Sequence, residues 1–419
     1  MPDDAYEALT VESLPQRLGA VPQVAVRIGG TPETWSVREV GDGNLNLVFI
    51  VTGSAGSVVV KQALPYVRLV GESWPLALYR TFFEHHALVR QADRDPGSVP
   101  EVFHFDQIQS LIAMEYLHPH VILRYKMVAG ERVEGLGAFL GTHCARMAFR
   151  GSELHMASAE KKADVALFAG NVEIPAITEA LVFTDPYYAA EMNRHTEGLD
   201  PVVTALRDDV ALKAEVQKLF VKFATNTETM LHGDLHTGSV MSTATESRII
   251  DPEFAQYGPM GFDLGMLTAN YLMAYFSQPA HRAEDELHGY QEWLLRVVTD
   301  TFGAFDAEFR RLWASERTGM LYPACLFEDQ GHSSEPARDA VLATIWQDAL
   351  GFCGIEMHRR ILGLAHNADF ESIEDPRARA PLEARSLMMG RAAVLERAGI
   401  GDAAALTAMA RRFGKETFP

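Results

Sequence analysis

Cysteine is scarce in this chain. Its 419 residues include only three cysteines, Cys144, Cys325 and Cys353, and no spacing among them matches a metal-ligand motif. The sequence therefore argues against a disulfide scaffold and against a cysteine-ligated metal site. Isolated thiols of this kind are typical of proteins in a reducing compartment, so we expect free cysteines and a cytoplasmic location.

Long apolar runs are also lacking. The longest one covers residues 266–276, well short of the roughly 20 residues that cross a bilayer. The opening segment, MPDDAYEALT, is acidic and has no apolar centre, so we expect neither a secretory signal nor a membrane span. The chain also has no internal repeat and no low-complexity segment.

Positive charge is the third scarce feature. Lys and Arg total 37 against 56 Asp and Glu, which leaves a formal net charge of −19. This balance argues against a general nucleic-acid or anionic-membrane surface, although ATP can still bind where basic residues and a cation are clustered locally. With 47% hydrophobic and 22% charged residues the composition is that of a globular protein, and the length predicts two lobes.

The chemistry that is present is concentrated in residues 231–265. This segment begins LHGDLHTGSV, which places His232, Asp234 and His236 in a short polar loop. An Asp in such a loop can accept a proton from a hydroxyl, so Asp234 is the predicted catalytic residue. Asp234 could instead only cap its own turn, but that alternative leaves the flanking histidines unexplained. We expect His232 to brace the loop rather than to take part in the chemistry.

More acidic residues follow in the same segment. Asp251 and Glu253 come after a short β-prone run, and residues two apart on a strand point to the same side, so both carboxylates are predicted to face one hard divalent cation. From these two residues alone, a pair of exposed acidic side chains that bind no metal is the favoured alternative. A hydroxyl-binding Asp and a cation site together predict phosphoryl transfer. Asp263 is predicted to be structural, because it opens an apolar helix over 264–276 and can satisfy free backbone amides.

The N-terminal part alternates β-branched runs with Gly-containing turns, which predicts an antiparallel meander. The turn from Gly41 to Asn46, which includes Gly43 and Asn44, is a candidate phosphate-binding loop, since glycines let backbone amides approach phosphate oxygens; an ordinary hairpin turn is the alternative. Lys61 ends a run of three valines. A lysine at the end of such a strand can bind the α- and β-phosphates of ATP. The alternative, and the commoner situation for a single lysine, is a solvated side chain at the strand end. A predicted helix over 76–91 offers Glu84 as the partner of Lys61, unless Glu84 is a surface residue.

Taken in order, the glycine turn, the strand-borne lysine, LHGDLHTGSV and DPEFAQYGPMGFDLG resemble the motifs of the protein-kinase-like phosphotransferases, which include aminoglycoside phosphotransferases and choline kinases. The resemblance implies an α+β fold of two lobes, with a small β-rich lobe over 1–117 and a large, mainly helical lobe over 118–419. Apolar periodicity over 136–149 and 211–224 also predicts helices in the second lobe. The resemblance implies Mg²⁺ as the metal and ATP as the donor, with ATP bound by Gly43, Asn44, Lys61, Glu115, Tyr116, Leu117, Asp251, Pro252 and Glu253, where residues 115–117 act through their backbone.

Two features indicate a subgroup. The wider family has an Asn five positions after the catalytic Asp as a second metal ligand, whereas this chain has Ser239, so Glu253 is expected to take over and a metal role for Ser239 is in doubt. The sequence GIEMHRRILGLAH resembles a twin-arginine motif of methylthioribose kinases, which implies that Arg359 or Arg360 contacts the sugar and the transferring phosphate. Adjacent helix positions point about 100° apart, so both arginines are not expected to serve one surface. A structural salt bridge is the alternative.

The reaction implied by this resemblance is MgATP-dependent phosphorylation of the anomeric 1-hydroxyl of 5-methylthioribose, a step of methionine salvage. The expected partner is a small-molecule sugar, with no nucleic acid and no membrane, and the resemblance suggests a homodimer. Two alternatives stay open. One is a kinase of the same fold for another alcohol, such as an aminoglycoside, choline or another sugar. The other is a nucleotide-binding protein without catalytic activity.

Overall fold

The structure is a computed structural model that describes residues 6–41, 46–67 and 71–418. It consists of two compact units, each built from several segments of the chain. Unit 1 comprises Met1–Pro119, Asn171–Ile174 and Arg248–Ala255, and unit 2 comprises His120–Gly170, Pro175–Ser247 and Gln256–Pro419. Unit 1 therefore includes two short segments that lie far along the sequence. The predicted lobe boundary after residue 117 stays a prediction.

Unit 1 is built on a five-stranded antiparallel sheet in the order β1-β2-β3-β7-β6. Its β-branched strands follow the predicted meander, which confirms the β-rich N-terminal region. In the central strand, Lys61 lies opposite Val48 on one side and Ile112 on the other. The strands of this unit are β1 Ser36–Val40, β2 Asn46–Thr52, β3 Ser57–Ala63, β4 Tyr66–Val67, β5 Gly71–Pro75, β6 Val102–Asp106 and β7 Leu111–Glu115.

Three helices accompany this sheet: α1 Leu14–Gly19, α2 Pro22–Ile28 and α3 Arg80–Arg94. Apolar residues of α1 and α2 form one buried core with the inner side chains of β2 and β3. The predicted helix over 76–91 therefore exists as α3, but it begins four residues later. The backbone N–H of Leu76 donates to the Pro65 carbonyl at 2.9 Å, which continues the pairing of β4 with β5 and keeps Leu76 outside the helix.

Unit 2 is mainly helical, as predicted. Helix α10 is buried along nearly its whole length and packs on α12, which in turn packs on α14. A Cβ atom at Gly265 would lie 2.5 Å from the Ala349 carbonyl oxygen, so the absence of a side chain permits the close approach of α10 and α12. Beyond residue 119 the helices are α4 Leu123–Ala129, α5 Leu136–Arg150, α6 Ser158–Phe168, α7 Glu173–Phe183, α8 Asp200–Asp208, α9 Val210–Thr225, α10 Phe262–Ser277, α11 Glu284–Ser315, α12 Glu335–Leu362, α13 Ala368–Glu371, α14 Pro376–Leu395 and α15 Ala403–Phe413.

The remaining strands are short, and two pairs of them, β8 with β10 and β9 with β12, flank the loop that contains Asp234. They are β8 Val121–Ile122, β9 Thr229–Met230, β10 Val240–Ser242, β11 Ser247–Ile249 and β12 Tyr257–Gly258. Among the described residues, no single helix is long and apolar enough to cross a membrane. Ser158–Phe168 and Glu173–Tyr187 meet that measure only together, as a pair bent by 80°.

Candidate active site

Lys61 lies in the central strand of unit 1 and faces three carboxylates. Its Nζ is 2.8 Å from Glu84 Oε1 and 3.9 Å from Glu253 Oε2, and it also pairs with Asp251. Glu84 reaches Lys61 from α3, whereas the other two carboxylates come from the segment 248–255 of the same unit. The structure thus brings together four residues that were predicted from three separate motifs.

The cluster around Lys61 is rich in negative charge, and Lys61, Glu84 and Glu253 are buried, whereas the side chain of Asp251 is 46% exposed. Burial by itself would lower the pKa of Lys61, but the three carboxylates raise it, so the ammonium group stays protonated. Burial raises the pKa of Glu84 to about 7, with Lys61 opposing this change and the neighbouring carboxylates adding to it. Burial also raises the pKa of Glu253. A second cation in this cluster would therefore be stabilised.

Glu253 is held by Arg80, which the sequence did not single out, and by Asn46, which ends the predicted phosphate-binding turn. Asn46 Nδ2 donates to Glu253 Oε2 at 3.1 Å, and Arg80 Nη2 donates to Asn46 Oδ1 at 3.1 Å. Arg80 Nε is itself 3.8 Å from Glu253 Oε2. No local pattern marks these contacts, because Asn46 and Glu253 are 207 positions apart in the chain.

The predicted reason for pairing Asp251 with Glu253 is wrong, although the two residues do lie together. Strand β11 ends before either of them, and Asp251 has φ +69°, in the left-handed region that Asp tolerates better than most other residues. Pro252 follows, and its carbonyl accepts from the Ala255 N–H at 3.2 Å, which closes a turn. This turn, and not strand alternation, brings one oxygen each of Glu84, Asp251 and Glu253 within 4.8 Å of one another.

The other residues predicted to bind ATP are placed as follows. Gly43 and Asn44 lie outside the described residues. Glu115 is the last residue of β7, where its N–H donates to the Glu101 carbonyl at 2.8 Å. Tyr116 and Leu117 follow directly, at the point where the chain leaves the sheet. Adenine binding by residues 115–117 stays a prediction.

In unit 2, hydrogen-bond donors surround the carboxylate of Asp234. Arg359 Nη1 and Arg360 Nη2 both donate to its Oδ1, at 3.2 and 3.1 Å, and His236 Nε2 lies 3.3 Å from its Oδ2. Burial by itself would raise the pKa of Asp234, but His236 and the two guanidinium groups lower it well below its usual range. Asp234 is therefore ionised at neutral pH and is suited to accept a hydrogen bond from a hydroxyl.

The convergence of Arg359 and Arg360 contradicts the expectation that adjacent helix positions cannot serve one surface. Both residues lie in the last turn of α12, and both also bind Glu356, through Arg359 Nη1 at 3.1 Å and Arg360 Nε at 2.6 Å. A long arginine side chain can cross the angle between neighbouring helix positions when a shared anion draws it there. Glu356 was missed in the sequence, although carboxylates three and four residues before an arginine commonly pair with it on a helix.

His236, which the sequence left without a role, has a defined proton position. The Gly238 N–H donates to His236 Nδ1 at 2.9 Å, so the neutral ring carries its proton on Nε2, which faces Asp234. Burial lowers the pKa of His236 to about 4; Asp234 opposes this change, and the positive charges of Arg360 and Arg124 add to it. His236 therefore acts as a neutral donor to Asp234.

The backbone of this loop is fixed by side chains. The Asp234 N–H donates to His232 Nδ1 at 3.3 Å, and Ser239 Oγ donates to the Asp234 carbonyl at 2.9 Å. Asp263 was expected to satisfy amides of its own helix. It instead accepts from the loop N–H groups of His232 at 2.7 Å and Gly233 at 3.0 Å.

Arg124 is a further residue that the sequence did not reveal. It is buried, and its Nε donates to Thr237 Oγ1 at 3.1 Å while its Nη2 donates to Asn270 Oδ1 at 2.8 Å. Its Nε also lies 3.4 Å from Asp369 Oδ2. Arg124 thereby ties the loop after Asp234 to α10 and α13.

A lysine–carboxylate cluster on an antiparallel sheet, and a helical unit with an arginine-bound aspartate, define a phosphotransferase with a protein-kinase-like fold. The family model described as the phosphotransferase enzyme family matches residues 36–300. The chain is 42% identical over 389 residues to a methylthioribose kinase of Escherichia coli O45:K1 (strain S88 / ExPEC), covering 92% of this chain and 93% of that protein. It is 41% identical over 395 residues to methylthioribose kinase 1 of Oryza sativa subsp. japonica, covering 92% and 91%. The chain therefore belongs to the phosphotransferase enzyme family and, within it, to the methylthioribose kinases.

Family membership makes the chain an ATP-dependent kinase and confirms the predicted family and α+β fold. Among solved structures, the chain is similar to a glucosamine kinase in complex with glucosamine, ADP and inorganic phosphate. That similarity has a TM-score of 0.49 and 14% identity, and it covers 91% of this chain and 86% of the other.

Proposed function

We propose that this chain is a MgATP-dependent kinase that phosphorylates the anomeric 1-hydroxyl of 5-methylthioribose, giving its 1-phosphate and ADP in methionine salvage. The relatives named methylthioribose kinase support this substrate, since they match over at least 91% of each chain. The observation that carries the proposal is the convergence of Arg359 and Arg360 on Asp234 Oδ1. It combines a carboxylate for an acceptor hydroxyl with cations for a transferring phosphoryl group.

In the proposed ATP site, Lys61 binds the α- and β-phosphates and Glu84 keeps its ammonium group in place. Asp251 and Glu253 are the proposed ligands of Mg²⁺, and Pro252 shapes the turn between them. This assignment is supported by an all-oxygen donor set within 4.8 Å, because oxygen donors are those that Mg²⁺ prefers. Bound Mg²⁺ would offset negative charge on the phosphates. The remaining ATP contacts are assigned to Gly43, Asn44, Glu115, Tyr116 and Leu117.

In the proposed acceptor site, Asp234 accepts a hydrogen bond from the 1-hydroxyl and orients its oxygen toward the γ-phosphorus. The new phosphorus–oxygen bond forms as the bond to ADP breaks, and the hydroxyl proton is released to water, because the lowered pKa of Asp234 keeps it ionised. Arg359 and Arg360 balance the charge of the phosphoryl group during transfer. Their fixed positions on Asp234 make the electrostatic stabilisation available without rearrangement.

A homodimer and a cytoplasmic location also belong to this proposal, and both are supported by the family resemblance. Light scattering on the purified chain tests the dimer. A mass near twice that of one chain is the expected result, and a mass near that of a single chain would contradict it.

The experiment that tests the function is ADP release with MgATP and a panel of 5-methylthioribose, ribose, choline, homoserine and kanamycin. The variant Asp234→Asn is assayed in parallel. We expect methylthioribose alone to stimulate the wild-type protein. We expect Asp234→Asn to bind ATP normally, because Asp234 is assigned to the acceptor, while its turnover falls by about 100-fold or more.

Other outcomes separate the alternatives. A different preferred acceptor would retain the kinase assignment and overturn the substrate. Normal turnover in Asp234→Asn would remove that residue from the acceptor site. ATP binding without turnover of any acceptor would favour a nucleotide-binding protein.

A further inference from the structure

Glu356 is the most deeply buried charge next to Asp234. Its side chain is 0% exposed, whereas that of Asp234 is 19% exposed. Its Oε2 accepts from Arg359 and its Oε1 from Arg360, so each oxygen takes a different arginine. A third contact, from an uncharged group, is made by Asn270 Nδ2, which donates to Glu356 Oε1 at 3.4 Å. Glu356 is thus a carboxylate shared between two guanidinium groups.

The helical spacing explains how Glu356 can reach both arginines. At about 100° per residue, Arg359 lies about 60° to one side of Glu356 and Arg360 about 40° to the other, one turn further along α12. Viewed down the axis of α12, Glu356 therefore lies between Arg359 and Arg360, which themselves point about 100° apart. A carboxylate at this position pulls the two side chains toward each other, and both then meet Asp234 Oδ1.

The charges in this group are balanced. Asp234 and Glu356 carry two negative charges, Arg359 and Arg360 carry two positive ones, and each arginine contacts both carboxylates. Without Glu356, two guanidinium groups would compete for one oxygen of Asp234, and their mutual repulsion would favour other acceptors. Arg360 Nη1 already has such an acceptor in the Ala365 carbonyl, at 3.4 Å.

We propose that Glu356 is a positioning residue for phosphoryl transfer, which holds Arg359 and Arg360 together against Asp234 and acts only through them. This inference rests on the proposed function of the arginines. It assigns no contact between Glu356 and the substrate or ATP. A merely structural ion pair would be complete with one arginine, whereas here each arginine divides its donors between two carboxylates.

The test compares Glu356→Gln and Glu356→Asp with the wild type, using whichever acceptor of the panel is turned over fastest. Gln keeps the length and loses the charge, whereas Asp keeps the charge and is too short to reach both arginines. We expect kcat to fall at least tenfold in both variants, while KM for ATP stays within twofold. If Glu356→Gln does not fold, Glu356→Asp alone decides the outcome.

Asp348→Asn is the matched control. Asp348 is also buried on α12, about 12 Å earlier along the helix axis, and its two oxygens accept from Lys222 Nζ, each at 2.7 Å. This variant breaks a buried ion pair on the same helix without touching Asp234. We expect its kcat to stay within twofold of wild type even if its melting temperature falls.

A second comparison distinguishes positioning from stability. In an Arg359→Lys/Arg360→Lys background neither side chain has the guanidinium group that donates to both carboxylates, so adding Glu356→Gln should lower kcat by less than twofold. An undiminished tenfold loss there, or a kcat within twofold of wild type in Glu356→Gln alone, would overturn the inference. A different preferred acceptor would overturn the proposed substrate and leave this inference intact. If no acceptor is phosphorylated, the ratio of variant to wild-type kcat is measured on slow ATP hydrolysis instead.

Discussion

Lys61 and Asp234 are single side chains that each face several groups of opposite charge. Lys61 has three carboxylates around its ammonium group, and Asp234 has two guanidinium groups and an imidazole around its carboxylate. Removing the central side chain of such a group leaves buried groups of like charge without the partner that they share, which costs several kcal/mol in typical proteins. Each of these residues can therefore be tested by a substitution with a large and specific effect.

Replacing Lys61 by Met should weaken nucleotide binding. The change removes the cation assigned to the α- and β-phosphates and puts an uncharged side chain in its place. We expect KM for ATP to rise about tenfold or more and kcat to fall by about 100-fold, as measured by ADP release. Lys61→Arg, which keeps the charge, should lose less ATP affinity than Lys61→Met. Equal ATP affinity in Lys61→Met and the wild type would contradict the assignment.

The pKa of His236 predicts how stability depends on pH. It is about 4 in the folded chain against 6.5 for an ordinary histidine, so between these values the unfolded chain binds a proton that the folded chain does not. The contribution of His236 is present above pH 6.5 and is lost as pH falls toward 4. Between pH 7.5 and 5 this loss amounts to about 2 kcal/mol.

Urea unfolding of the wild type and His236→Gln at these two pH values measures that contribution. We expect the decrease in unfolding free energy between pH 7.5 and 5 to be about 2 kcal/mol smaller in the variant. The pH profile of kcat should have the same shape near pH 6.5 in the wild type and in His236→Gln. An inflection there in the wild type that is lost in the variant would contradict this expectation. Such an inflection would mean that His236 gains a proton in the working enzyme.

Helix α12 carries residues of the proposed acceptor site and also packs closely against a neighbouring helix. It carries Glu356, Arg359 and Arg360, and it packs against α14 at Gly354, where a Cβ atom would clash with the Gly390 carbonyl and lie 2.7 Å from Val394 Cγ2. The position of the arginines therefore depends on a contact between two helices that leaves no room for a methyl group.

Gly354→Ala should destabilise the protein and reduce its activity. The added methyl group forces α12 and α14 apart, at a cost of about 1–3 kcal/mol in unfolding free energy, and shifts the arginines from Asp234. Gly303→Ala on α11 is the control, because a Cβ atom there meets nothing within 4 Å. It should stabilise the chain by about 0.5–1 kcal/mol through helix propensity. Urea unfolding together with kcat separates the two cases, and equal behaviour of both variants would contradict the packing argument.

Elements were predicted from the sequence where the pattern is local. Strands β1 to β3, helices α5 and α9, and the loop containing Asp234 all follow from periodicity or from short motifs. The start of α3 was misplaced because it depends on a hydrogen bond to Pro65, and the turn at Asp251 was taken for a strand because its positive φ has no sequence signature. The contacts of Asn46 and Arg80 with Glu253 could not be found, since Glu253 is distant from both in sequence. Glu356 could have been found from its spacing to the arginines.

At the scale of the whole molecule, unit 1 is not a continuous stretch of sequence. Its cluster around Lys61 is complete only when the segment Arg248–Ala255 is present, because that segment supplies Asp251 and Glu253. A lobe boundary placed near residue 117 from sequence order could not include this contribution. The sequence therefore predicts the kind of secondary structure in each unit better than it predicts which distant segments join that unit.

An isolated fragment, Met1–Pro119, should therefore fail to bind MgATP. It retains Lys61 and Glu84 but lacks both proposed metal ligands. In a thermal-shift assay, MgATP should raise the melting temperature of the whole chain, since a ligand at 100 times its Kd stabilises by about 2.7 kcal/mol. The fragment should show no such shift.

Asp234→Asn in the whole chain is the matched control for this measurement, and it should keep the full shift. A fragment that is folded by circular dichroism and shifts with MgATP like the whole chain would contradict the assignment of Asp251 and Glu253.

The composition of unit 1 also has a consequence for how the protein is made. The strands of the main sheet have all left the ribosome once residue 119 has emerged, but the segment Arg248–Ala255 is synthesised much later. At about 5–20 residues per second, this delay is on the order of ten seconds. During that time the nascent sheet presents Lys61 and Glu84 without Asp251 and Glu253, the proposed metal ligands, so we expect a newly made N-terminal half to bind no MgATP until residue 255 has left the ribosome.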